Sequence, residues 1–94
     1  MSQIYRDLEL GPYCARILAM PVPSNEVGTP AGFIAHGVIK RADGAAVVEN
    51  FRAYESGEIR PEPNGVFRDA HLALNAGEQW ASELMNNWYD RGNG

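Results

Sequence analysis

Ninety-four residues, 45% hydrophobic and 21% charged, suit one domain with a modest core and exclude a disordered chain. A formal charge of −4 weighs against a protein that reads nucleic-acid backbones. A lone Cys14 excludes an intrachain disulfide, and the longest mostly apolar run, Ile17 to Val22, is far too short to span a bilayer.

In chain order, the segment from Met1 to Pro12 is mixed. It carries Arg6, Asp7 and Glu9 and has no apolar export core, so a cytoplasmic chain without a signal peptide is expected. Ile4 to Leu10 is a candidate short strand or irregular stretch, broken by Gly11-Pro12. Tyr13 to Met20 reads as a strand stopped by Pro21 and Pro23. The loop chemistry of Pro21 to Gly32 follows, long for a compact domain. Phe33 to Lys40 is the next strand. Asp43-Gly44 then supplies a hairpin turn, and Ala45 to Tyr54 returns as a third strand. Glu55 to Asn64, with Ser-Gly and two prolines, reads as a loop.

The last element carries the strongest signal. Phe67, Ala70, Leu74, Gly77, Ala81, Leu84 and Trp88 recur at alternating steps of three and four, one apolar stripe of an α-helix over 66–90. Asp69 is the expected N-cap and Gly92 the expected C-cap, and Ala70, Gly77 and Ala81 are small enough for close approach to a covered surface. The expected architecture is therefore α+β in a single domain, 1–94. A three- or four-stranded antiparallel sheet, its strands within 13–54, carries one long C-terminal helix on one face.

Alternation along the strands divides them into two sets. Ala15, Ile17, Phe33, Ile39 and Phe51 have the fewest charges and go under the helix, with Glu49 the exception near an edge. The opposite face then holds Arg16, His36, Lys40, Arg52 and Tyr54 among Leu18, Ile34, Val38 and Val48. A face meant for water rarely carries four aliphatics, and a core face does not carry three cations. Three readings follow. Leu18, Ile34, Val38 and Val48 form a homodimer contact with cations at the rim. Alternatively, Arg16, His36, Lys40, Arg52 and Tyr54 form a platform for single-stranded nucleic acid. In the third, residues 1–12 fold back over the face. The first is adopted: a cytoplasmic, non-enzymatic homodimer acting through protein contacts.

Catalytic and metal chemistry finds little footing. His36 and His71 have no spacing for zinc, and a lone Cys in an apolar strand reads as a packed residue. Glu49, Glu55, Glu58 and Glu62 lack a calcium-loop pattern, and Gly28 to Gly32 lacks the Lys-Ser/Thr of a phosphate cradle. No nucleophile–base–orienter set can be assembled, so no catalytic residue, metal or cofactor is expected.

Ala73-Leu74, Ala76-Gly77 and Trp80-Ala81 give a helix that resembles the closing helix of short bacterial proteins of unknown function with a β-β-β-α order. The order is also similar to partial double-stranded-RNA-binding-like folds, including antitoxins. True RNA binders of that type carry a lysine cluster at the helix start, where this chain has Arg68-Asp69. The resemblance thus implies dimerisation or partner binding, not catalysis.

Overall fold

The computed structural model describes residues 4–24, 28, 30–47 and 52–92. Four strands, β1 (Ile4–Leu10), β2 (Tyr13–Val22), β3 (Gly32–Arg41) and β4 (Ala53–Ile59), form one antiparallel sheet in the order β1-β2-β3-β4. A single helix, α1 (Ala70–Gly92), lies across one face, packed chiefly on β3 and β2 and least on β4. This is the α+β architecture that the patterning predicts.

The register explains which side chains are covered. Ile4, Arg6, Leu8 and Leu10 pair with Ala19, Ile17, Ala15 and Tyr13, and these in turn with Ala35, Gly37, Ile39 and Arg41. That set faces α1, where Ile17, Ile39, Leu74 and Met85 are fully buried. Two glycines allow the layers to approach. A Cβ on Gly77 would lie against Ile17 Cγ2, and one on Gly37 would meet the Trp80 ring at 2.5 Å. Arg6 reaches from the edge strand to Asn75 (2.8 Å) and Glu78 (3.0 Å), tying β1 to the helix.

The helix begins later than its stripe. The Asp69 carboxylate accepts from the Leu72 N–H at 2.9 Å, the geometry of an N-cap. Phe67, expected in the helix, is instead extended and exchanges two backbone hydrogen bonds with Phe33, at 2.8 and 2.7 Å. It still packs on the core, so its place in the periodicity reflects burial and not helical backbone. At the other end the helix runs through Gly92, which therefore does not lie beyond it as a C-cap.

Pro21 does not stop β2, which continues to Val22. Its partner Phe33 gives both backbone groups to Phe67, so the Pro21–Phe33 pair needs no N–H from the proline. On the other side, the described part of β1 starts at Ile4, opposite Ala19. Proline is tolerated where no ladder bond is lost.

The expected third strand is corrected. Asp43-Gly44 does turn, with Gly44 at φ 80° and its N–H on the Arg41 carbonyl at 3.1 Å. Ala45 to Val47 do not pair, however, and β4 starts only at Ala53, opposite Lys40. Glu55 to Ile59, read as loop, is strand. Val48, Glu49 and Phe51 lie outside the described residues.

β4 also carries a bulge. His36 pairs with Glu58 but Val38 with Glu55, so Ser56 and Gly57 together oppose Gly37. Gly57 takes φ 74°, and Ser56 Oγ accepts the Gly37 N–H at 2.8 Å while donating to the Gly57 carbonyl at 2.7 Å. The extra residue reverses the facing of everything before it. Tyr54 thereby pairs with Ile39, not Lys40, and turns toward the helix.

Candidate interaction face

The sheet's second face has no helix over it. Reading across the strands, it is built in rows: Glu9, Cys14 and Lys40; then Asp7, Arg16, Val38 and Glu55; then Tyr5, Leu18, His36 and Glu58; then Met20 and Ile34. Leu18, Met20 and Val38 are half-buried and form an aliphatic patch down β2 and β3, while Ile34, opposite Met20, is already buried within the chain. A groove of about 490 Å³ lies over its β1 side, lined by Asp7, Glu9, Cys14, Arg16, Leu18, Val38 and Lys40, with Leu8 and Ala15 contributing.

Most charges on this face are already matched. Arg16 donates to both Asp7 oxygens at 2.8 and 3.0 Å and lies over the Tyr5 ring, 4.3 Å from its centroid. That hydrogen-bonded guanidinium holds the Asp7 carboxyl below its ordinary value, and Asp7 raises Arg16 in turn. His36 Nε2 lies 3.3 Å from Glu55, and Glu58 pairs with Arg60 at 2.9 Å. Among the described residues, Glu9 and Lys40 have no ion-pair partner, and both are exposed.

Of the expected contact residues, Leu18, Ile34 and Val38 do share this face, and Val48 lies outside the described residues. The cationic set does not come together. Arg16, His36 and Lys40 are on the face, and Arg52 is exposed just before β4. Tyr54 is on the far side, stacked on Trp80 at 6.2 Å and edge-on to Trp88 at 5.4 Å. Residues 4–10 do not fold over the face either, because they extend the sheet as β1.

Tyr5, Asp7 and Glu9 belong to the face, although by sequence their segment reads as mixed. Their alternation with Ile4, Arg6, Leu8 and Leu10 was the available signal. Cys14 lies four residues along β2 from Leu18, the partner of His36, hence about 13 Å away. His71 is on the helix, so neither histidine adjoins the thiol. Among the described residues no cluster of His, Cys, Asp and Glu is placed to hold a metal ion, and no helix is long and apolar enough to cross a membrane.

No protein-family model, curated protein or solved structure matches this chain. The reading of the face therefore rests on its own chemistry.

Proposed function

We propose that this chain is a non-enzymatic binding protein that works as a homodimer, its open sheet face being the contact between copies. The observation that carries this is the half-buried aliphatic patch of Leu18, Met20 and Val38 on a helix-free face where Asp7 and Glu58 are neutralised in place by Arg16 and Arg60. Contiguous apolar surface framed by polar groups is the anatomy of a protein interface. Four strands about 4.8 Å apart and seven or more residues long give a face of roughly 500 Å² in projection. Side-chain relief brings its accessible area toward the ~800 Å² per partner of an ordinary stable contact. A self-complementary face needs only one patch, and two-fold dimers are the commonest assembly.

The same facts weigh against a single-stranded nucleic-acid platform. Its stacking residue Tyr54 faces the helix, and Arg16 and His36 have carboxylate partners. A lone thiol supports a reducing, cytoplasmic setting. Sedimentation equilibrium tests the reading: wild type is expected at twice the chain mass, and Val38→Asp or Leu18→Asp at the single-chain mass with an unchanged circular-dichroism spectrum. A wild type of single-chain mass throughout the micromolar range overturns it.

A further inference from the structure

Among the described residues of the proposed dimer face, Glu9 and Lys40 have no ion-pair partner, and they are not scattered. Glu9 and Lys40 sit in one row on either side of Cys14, Glu9 paired with Cys14 across β1 and β2, Cys14 with Lys40 across β2 and β3. Adjacent strands are about 4.8 Å apart, so the two charges are equidistant from β2, one to each side. Within the chain β2 separates them by about 9.6 Å, and they form no ion pair across Cys14.

We propose that the two copies are related by a two-fold axis running along β2 between the facing sheets, so that Glu9 of each copy pairs with Lys40 of the other. This rests on the open-face dimer just proposed and adds its geometry. An axis in the interface plane along β2 exchanges left and right of that strand. It brings an anion over a cation twice, once on each side of the axis. Packed sheets lie about 10 Å apart, a gap that a lysine and a glutamate extended toward each other can span.

The other rows are compatible with the same axis. Leu18 and Met20 meet their own copies along it, and Val38 covers the Asp7–Arg16 pair of the other chain. Arg16 also faces its own copy, but its bidentate Asp7 cancels the charge in each chain. Placing the axis between β2 and β3 instead would set Glu9 over Ala53 and Lys40 over Cys14, leaving both charges unmatched. Covering an unpaired charge disfavours that register. Direct pairing of the β1 edges would leave Lys40, on β3, unmatched.

The test is charge reversal in two separate chains. Glu9→Lys alone and Lys40→Glu alone each place like charges together twice, and each is expected to weaken self-association on the order of tenfold or more. Mixed in equal amounts, the two variants should recover the dimer mass as a heterodimer, because every reversed charge then meets an opposite one. An intrachain pair cannot produce that recovery. As a check needing no variant, a short bis-maleimide should cross-link wild-type chains through Cys14, since the axis sets each Cys14 opposite its copy. If the wild type is dimeric but the variants associate normally, if the mixture stays at single-chain mass, or if Cys14 does not cross-link, this geometry is wrong while the dimer stands. A monomeric wild type removes both.

Discussion

Gly77→Ala sets two effects of known sign against each other. Gly77 is inside α1, where glycine is about 1 kcal/mol worse than alanine, so helix propensity alone makes the variant more stable. The structure predicts the opposite. The added methyl would land on Ile17 Cγ2, with Ile17 Cβ at 3.4 Å and Ala35 Cβ at 3.5 Å. Ile17 is fully buried on the central strand β2, and its branched side chain has no free rotamer to retreat into. The helix must lift, opening space over Ala73 and Ala81 as well. Overpacking of this kind costs about 1–3 kcal/mol, and a clash against a rigid branched side chain belongs at the upper end. The expected net loss is about 2 kcal/mol by urea unfolding, followed through Trp80 and Trp88 fluorescence. Ile17→Ala alone should cost about 2–5 kcal/mol, but in the double variant the new methyl occupies the vacated space. The pair should therefore cost less than the two single losses together, by about 0.5–3 kcal/mol. A Gly77→Ala protein stabilised by about 1 kcal/mol, with additive behaviour, would refute the close approach.

Three further outcomes follow from named contacts. Leu74→Ala, at a side chain only 2% exposed, should cost about 2–5 kcal/mol in the same assay. Asp69→Ala removes the acceptor for the Leu72 N–H and should cost about 1 kcal/mol, with Asp69→Asn retaining most of the stability. In the turn, hydrogen bonds from Arg41 and then from the Ala45 N–H depress the Asp43 carboxyl to about 2. Because the folded value lies below the unfolded one, the turn's contribution is complete above the ordinary carboxylate range and is lost as pH falls toward 2. A carboxyl NMR titration of Asp43 with a midpoint at the ordinary carboxylate value would contradict those contacts.

The parts of this fold that show in the sequence are those where burial is one-sided. Tyr13, Ala15, Ile17 and Ala19 alternate with Cys14, Arg16, Leu18 and Met20 because only one side of β2 meets the helix. The helical stripe is legible for the same reason, and Asp69 marks its start. The errors have physical causes as well. Phe67 keeps helical spacing because an extended residue can pack on the same core from outside the helix. β4 is an edge strand held largely by backbone pairing with β3, so Glu55, Ser56, Gly57 and Glu58 carry no apolar alternation. Period-two counting from Ala45 assumes a ladder that starts at the turn, but pairing starts only with Ala53 opposite Lys40. The register set there places Tyr54 opposite Ile39, in the aromatic cluster with Trp80 and Trp88 and not on the open face. The patch of Leu18 and Val38 was legible because β2 and β3 contain no interruption between them.

The central claim is that the helix-free face is where two copies meet, and an isotope-filtered NOE experiment on mixed labelled and unlabelled chains tests it most directly. The account predicts intermolecular cross-peaks among the methyl groups of Leu18, Met20 and Val38. An absence of intermolecular peaks, or peaks confined to exposed helix residues such as Leu72 and Tyr89, would contradict it.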